Sequence, residues 1–381
     1  GRSQDCRSRH CSSQQHWRER VRRSELWILR VSLLPLLLRL TGLRLLLTAF
    51  RILVMLCFGN KKKAGLDLAW IKGSRGLPIS LMPSTFDAKA TFRDRIGVSK
   101  TEAEMPFFRE GMKIKEKDRQ ELLRVQDSND PYAQATIDRV FDDANELIDA
   151  ADVVPERMRM QLLAPEDGSP KIFIESDGVT YAYNYDGDGT YATENFMSLS
   201  GTGKWSDAAN SDPLSDVAAA MDAVEEKTGT KPSIMIVSKK TAGYLRQNAK
   251  VKAAVLAQNV TANVVMTDAR VSEVFQNVLG VAVVVYNKKF KDETGAAQQF
   301  YPDDFATLIP EGALGSTWYG TTPEERTLSG NSEANVSIVN TGVAVAVHVN
   351  VNPVNTETIV SEIVLPSYER MDEVALLKVI S

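Results

Sequence analysis

The residues of this chain that could carry chemistry sit in four places, and each fails a test of spacing. Asp186-Gly187-Asp188-Gly189 alternates carboxylates as a Ca2+ loop does. An EF-hand, however, would need glycine where Tyr191 stands and a bidentate acid where Met197 stands, so the stretch reads as a turn. Gly201-Thr202-Gly203-Lys204 begins like a phosphate-cradling loop. It has Ser198 at the first glycine position and Trp205 where a Ser or Thr would hold Mg2+. Cys6, His10, Cys11 and His16 supply zinc-ligand types at a spacing that fits no common zinc pattern. His348 lies on the more polar face of a strand with no acid or nucleophile beside it in sequence, which points to a structural or interfacial role. No nucleophile elbow is present to support a hydrolase or transferase built on the α/β segment described below. No residue is assigned a catalytic, cofactor-binding or metal-binding role, and no cofactor is expected.

Composition narrows the classes further. All three cysteines (Cys6, Cys11, Cys57) and two of the three histidines (His10, His16) fall within residues 1–60. The rest of the chain has no cysteine and only His348, which excludes thiol catalysis, disulfides, cysteine-ligated metal and a multi-histidine site there. Residues 1–60 carry eleven Arg and three acids (Asp5, Glu19, Glu25), a net of +8, which leaves −12 for residues 61–381 within a whole-chain net of −4. None of the 21 lysines precedes Lys61, and Arg, Leu and Ser make up 31 of the first 60 residues.

Trp27 to Phe58 is Leu-rich enough to suggest a membrane span. Arg30, Arg39, Arg44 and Arg51 cut it into apolar pieces far shorter than the about 20 residues a spanning helix needs, so no membrane partner is expected. The flood of six-codon residues makes 1–60 an anomalous Arg/Leu-rich leader, expected to be an out-of-frame translation and not the biological N-terminus. An unbroken upstream reading frame with selected codon usage would contradict that expectation.

The elements that would position any site follow from periodicity. Prolines and glycines from Gly65 to Arg95 prevent a long helix and read as an extended arm. Phe92 to Lys117 reads as a charged two-stranded excursion with a break near Pro106 and Gly111, and the mixed charges of Lys113 to Arg119 suit lateral contacts. Asp130-Pro131 opens a helix whose apolar stripe includes Ile137, Val140, Phe141, Ala144, Leu147, Ile148 and Ala151, broken at Pro155 and resumed over Glu156 to Leu163. Lys171 to Tyr185 alternates about Asp177-Gly178 as a hairpin. Helices starting after Asp212, over Thr241–Asn248, Val251–Gln258 and Asp268–Leu279, with strands at Ser233–Val237, Val281–Tyr286 and Phe305–Ile309, form an α/β unit. Gly315 and Gly320 bracket Trp318 and Tyr319 on what reads as an irregular, packed apolar loop. Val343, Val345, Val347, Val349 and Val351 share one face of a strand, with Ala344, Ala346, His348, Asn350 and Asn352 on the other. Glu357–Leu365 and Val374–Ile380 read as strands that close the same sheet.

Three stretches carry a resemblance. They are Gly65-Leu66-Asp67-Leu68-Ala69-Trp70-Ile71-Lys72-Gly73 onward to Arg93-Asp94-Arg95; Met105 to Gln120; and Leu308-Ile309-Pro310-Glu311-Gly312-Ala313-Leu314-Gly315 with Thr317-Trp318-Tyr319-Gly320-Thr321-Thr322-Pro323-Glu324-Glu325. Over residues 61–381 the chain resembles the tailed-bacteriophage major capsid proteins of the lambda-type major head protein E family. The resemblance implies an α+β Hong Kong 97-like phage capsid fold with N-terminal arm, extended E-loop, P-domain with spine helix, and α/β A-domain. The expected division is arm and E-loop at 61–127, first P-domain part with spine helix at 128–205, A-domain at 206–329, and P-domain return strands at 330–381. The implied function is a structural, non-enzymatic head protein that self-assembles as hexamers and pentamers into an icosahedral shell around the double-stranded DNA of a tailed phage or prophage. It would be found in the virion and assembled in the bacterial host cytoplasm. Scaffold, portal and decoration proteins are the further partners implied. The net −12 of the body argues for enclosure of DNA without sequence-specific binding. The alternative is a nanocompartment, encapsulin-like shell of the same fold.

Overall fold

The computed structural model describes residues 57–72, 99–115, 131–176, 178–258, 265–292, 294–325, 334–339, 341–351 and 354–380. The leader as far as residue 56, the proline-spaced stretch Pro78 to Arg95, Lys117 to Arg119 and Asp177 lie outside the described residues.

The first strands are β1 (Phe58–Lys62), β2 (Asp67–Lys72), β3 (Ser99–Glu104) and β4 (Phe107–Lys115). The two-stranded excursion expected over Phe92 to Lys117 is corrected here, because β3 and β4 take different partners. β3 pairs antiparallel with β2, Asp67 opposite Glu104. β4 pairs antiparallel with a late strand, Lys115 opposite Asn355 through Phe107 opposite Ile363. The switch falls at Met105-Pro106. Met105 N donates to Leu66 O at 2.8 Å. Pro106 has no amide hydrogen to continue that ladder, and its carbonyl accepts from Val364 N at 3.4 Å on the new partner.

Helix α1 (Pro131–Leu163) runs unbroken through Pro155. The expected break is absent because burial continues on both sides of the proline. Leu147 and Ala151 precede it and Met158, Met160, Leu162 and Leu163 follow, all buried. Burying four large apolar side chains at about 1.5–3 kcal/mol each outweighs the roughly 3 kcal/mol cost of an interior proline. The hairpin β5 (Lys171–Ser176) and β6 (Val179–Asn184) turns at Gly178 with φ +78°, a left-handed conformation suited to glycine.

A second group of elements builds one mixed sheet. After α2 (Thr190–Glu194) and β7 (Phe196–Ser198) come α3 (Pro213–Thr228), β8 (Ile234–Ser238), α4 (Lys239–Gln247), α5 (Ala249–Gln258), α6 (Asp268–Leu279), β9 (Ala282–Tyr286), the hairpin β10 (Lys289–Lys291) and β11 (Ala297–Gln299), and β12 (Phe305–Ile309). Asp212 caps α3 by accepting from Ser215 N at 3.2 Å, and Gly229 ends it at φ +72°. Trp205, Val217, Met221, Val224, Leu245, Val271 and Phe275 bury their side chains with Met235, Val237, Ala306 and Leu308 in the core of this unit.

The last strands are β13 (Gly315–Tyr319), β14 (Ala334–Val339), β15 (Val343–Val351), β16 (Val354–Tyr368) and β17 (Ala375–Lys378). Two sheets result. One is six-stranded, ordered β1-β13-β16-β15-β14 with β4 also on β16; the other is five-stranded, ordered β7-β17-β12-β8-β9. β17 therefore lies in the α/β sheet, pairing antiparallel with β12 and parallel with β7, and does not close the first sheet as expected. The apolar run Ala375-Leu376-Leu377 marks a strand buried on both faces but says nothing of which strand is alongside. Both faces of the valine strand are covered at its start, Ala344 and Ala346 being as buried as Val343 and Val345. Val343, Val345 and Val360 pack with Leu147 and Ala151 of α1 on one face. On the other, Ser361, directly opposite Ala344, donates to buried Glu324 at 2.7 Å.

Candidate functional site

The candidates among the described residues take local structural places. The Asp186 carboxylate caps α2, accepting from Tyr191 N at 2.9 Å and Ala192 N at 3.0 Å. Gly201–Gly203 is a 3-10 turn, with Gly201 at φ +56°. His348 sits within β15, in register with Ala334 and Glu357. Among the described residues no group of three or more His, Cys, Asp and Glu could hold a metal ion. Cys6, His10, Cys11 and His16 lie outside the described residues.

The structure instead concentrates buried polar groups where the chain crosses between its two sheets. β12 belongs to the five-stranded sheet and β13 to the six-stranded one, so Pro310–Leu314 is a crossing; Glu369–Val374, from β16 to β17, is the return. Arg370 clamps the two. Its Nη1 donates to Glu311 O at 3.3 Å and Ala313 O at 3.0 Å, and its Nε donates to buried Glu373 at 3.0 Å. Leu314 N donates to Cys57 O at 2.8 Å, and Leu314 O accepts from Glu369 N at 3.0 Å and Arg370 N at 2.9 Å. Charge-assisted bonds from one guanidinium to two carbonyls of the crossing and to a carboxylate of the return fix the sheets in one relative geometry.

Beyond the crossing, Gly315–Tyr319 is a strand, where an irregular loop was expected. β13 pairs parallel with β1 and antiparallel with β16. The glycines serve close approach. A Cβ on Gly315 would lie 1.9 Å from Ser367 O, and one on Gly320 would lie 2.6 Å from Ile363 Cγ2. Ser367 Oγ accepts from Ser316 N at 3.0 Å and from Trp318 Nε1 at 3.2 Å, while Lys61 Nζ stands 5.1 Å from the Trp318 ring centroid. Glu325 then meets Lys62 Nζ at 2.5 Å, and Glu324 contacts Arg109 of β4. The stretch from Pro310 to Glu325 thus ties β1, β4, β16 and the α/β unit together.

Helix α1 bridges the same two sheets. Leu147 and Ala151 pack on the six-stranded sheet, and the carbonyl of Leu163 accepts from Thr307 Oγ1 of β12 at 2.8 Å. Between these points α1 carries charges that periodicity alone did not reveal. Glu156, 6% exposed, accepts from Tyr286 Oη at 2.5 Å and pairs with Lys288. Arg159 Nη1 reaches Thr317 Oγ1 at 3.5 Å, the outer limit of a hydrogen bond. Burial pushes the Arg159 guanidinium below its ordinary value, opposed by the field of Tyr319, then of Glu156, Tyr286 and Asp152. Glu362 of β16 is also buried on this side. The legible signal was a single acid at an inward position, Val360-x-Glu362-x-Val364. The arrangement braces the two sheets against each other.

Comparison with known proteins is consistent with a structural role. The capsid asymmetric unit of cyanophage A-1(L) superposes with a TM-score of 0.50 at 12% identity, covering 86% of this chain and 92% of that one. A phage-related protein from Bordetella bronchiseptica gives 0.49 at 14% identity, covering 91% and 96%, and a putative prophage capsid protein from E. coli gives 0.49 at 15%, covering 74% and 80%. Comparison with curated proteins finds no match. The mixed helix and sheet architecture is that of the Hong Kong 97-like capsid fold. The family model for phage major capsid protein E matches residues 78–378, and the chain belongs to that family. It is a major capsid protein, a structural component of the phage virion.

Proposed function

We propose that this subunit assembles with copies of itself, as hexamers and pentamers, into an icosahedral shell that encloses the double-stranded DNA of a tailed phage or prophage. The observation that carries this reading is the match of residues 78–378 to the phage major capsid protein E family. The six-stranded sheet with α1 serves as the P-domain and the five-stranded sheet with its helices as the A-domain. The arm and E-loop lie within residues 61–127, apart from β4, which belongs to the P-domain sheet. Assembly takes place in the host cytoplasm with scaffold, portal and decoration proteins, and the subunit catalyses no reaction. No helix among the described residues is long and apolar enough to cross a membrane. With −12 over residues 61–381 the shell encloses DNA without sequence-specific grip, because a protein that neutralises phosphates needs a surplus of Lys and Arg.

The contents of the particles test this. Particles purified from a lysate of phage-producing cells, with this chain as their main protein, are expected to hold double-stranded DNA that resists nuclease until the shell is opened. Particles filled with an enzyme and free of protected DNA would overturn the reading in favour of a nanocompartment.

A further inference from the structure

The hairpin β5–β6 is a two-stranded sheet of its own, outside both large sheets, and so is the ribbon β2–β3. One face of the hairpin is turned inward. On it Ile172 lies opposite Tyr183 and Ile174 opposite Tyr181, with both isoleucines buried, while Phe173 on the other face is exposed. Tyr181, Tyr183 and Tyr185, at alternate positions, each end on a backbone carbonyl. Tyr181 Oη donates to Phe107 O at 3.2 Å, Tyr183 Oη to Glu104 O at 2.7 Å and Tyr185 Oη to Pro366 O at 2.6 Å. Glu104 ends β3 and Phe107 begins β4, so the first two bonds straddle the Met105-Pro106 corner where the chain passes from the ribbon to the six-stranded sheet. Tyr183 holds the ribbon side; Tyr181 and Tyr185 hold the sheet side.

Ring contacts follow the same division. The Trp70 ring of β2 lies 5.3 Å from that of Tyr185, and the Phe108 ring of β4 lies 5.6 Å from that of Tyr181. Trp70 and Leu68 are buried, so the ribbon is seated on the body at its root. From its other side the hairpin is held by α1. Gln161 Nε2 donates to Phe173 O at 2.9 Å, and Gln161 Oε1 accepts from Phe173 N at 3.1 Å. One side-chain amide thus takes the place of a neighbouring strand on the edge of β5. A continuous chain of bonds runs from α1 through Gln161 to β5, across the ladder to β6, and through Tyr183 to the ribbon.

We propose that β5–β6 is a bracket that keeps the ribbon β2–β3 docked, with the Tyr183 hydroxyl as its catch and Gln161 as its mount. With the catch closed, the ribbon leaves the Met105-Pro106 corner in one direction. With it open, the ribbon swings about that corner while the six-stranded sheet keeps its order. One hydrogen bond at an exposed site changes a local equilibrium by a small factor, which suits a catch that must open. Within a shell, the bracket sets whether a subunit offers its ribbon to a neighbour held or free, a consequence that rests on the proposed assembly. The bracket itself belongs to the single subunit.

Amide hydrogen exchange on the full chain as dispersed subunits tests this. An isolated two-stranded ribbon is marginal in water, so undocking opens its ladder amides to exchange. Tyr183→Phe keeps the ring and removes the hydroxyl. The amides of Asp67–Lys72 and Ser99–Glu104 are then expected to exchange about two- to fivefold faster, the low end of what one net hydrogen bond contributes, with those of β8 and β12 at wild-type rates. Gln161→Leu removes both bonds to Phe173, neither of which involves the ribbon, and is expected to speed the same ribbon amides. A Gln161 that served β5 alone would leave them unmoved. Ribbon exchange at the wild-type rate in Tyr183→Phe, a rise confined to β5–β6 in Gln161→Leu, or an equal rise in β8 and β12 would each overturn the bracket. These rates are read without any particle forming, so the bracket and the assembly reading fail separately.

Discussion

A chain carrying Gly315→Ala is expected to lose about 3 kcal/mol or more of stability and to accumulate as insoluble protein. The Cβ so introduced would stand 1.9 Å from Ser367 O and 2.8 Å from Ser367 C, so the obstacle is backbone and cannot rotate aside. Overpacking a core with side-chain give costs about 1–3 kcal/mol, and a backbone collision exceeds that range because β13 must leave the ladder with β16. That ladder runs from Gly315 opposite Tyr368 to Tyr319 opposite Val364, and it holds the first strand after the crossing. Chemical denaturation of soluble subunits, with Gly203→Ala as the control, measures the effect. A Cβ on Gly203 would meet nothing within 4 Å, so that variant is expected to stay within about 1 kcal/mol of wild type. Equal stability of the two variants would show that β13 is not packed as described.

The second large effect concerns β1. Phe58→Ala is expected to cost about 3–5 kcal/mol, the range for removing a fully buried aromatic side chain. Phe58 is fully buried, its ring centroid is 5.7 Å from that of Tyr368, and its carbonyl accepts from Thr317 Oγ1 at 3.3 Å. The composition places the seam of this chain at Lys61, where lysine first appears, yet Phe58 pairs with Gly315 and Cys57 O accepts from Leu314 N. The structural edge of the sheet therefore precedes the compositional one by a few residues. The loss is read from the shift in denaturation midpoint at unchanged slope. A loss below about 1 kcal/mol would mean that β1 adds little to the sheet and that the body begins after it.

Local signals carried the α/β unit well. Asp212 before Pro213 with Gly229 at the end, the span Asp268–Leu279, and the run Phe305–Ile309 all became the elements that were expected of them. What could not be read were partners and close approaches. Two glycines around Ser316–Tyr319 read as the breaks of an irregular packed loop, while in space each makes room for a neighbouring strand or side chain. Pro155 looks like a stop because its lost hydrogen bond is local, whereas the burial that overrides it comes from distant chain. The sheet membership of β4 and β17 was equally invisible, since a strand's alternation is the same beside any partner. The expectation that no residue forms a catalytic site rested on spacing. The structure adds a capping task for Asp186, a strand position for His348, and the burial of Glu156, Arg159 and Glu362, which spacing does not mark.

The junction gives a physical reason for a subunit built in this way. Three connections pass between the sheets, namely α1, Pro310–Leu314 and Glu369–Val374, and Arg370 ties the last two together. A subunit that tiles a closed surface must transmit the angle set by one neighbour to the next, which a single flexible linker cannot do. The central claim is that this chain works by tiling with copies of itself. Electron microscopy of purified residues 61–381 carrying a restored N-terminal arm, at micromolar concentration and above, tests it most directly. Closed shells, or rings of six and five subunits, are the expected result; a solution of discrete monomers that forms neither at any concentration would contradict it.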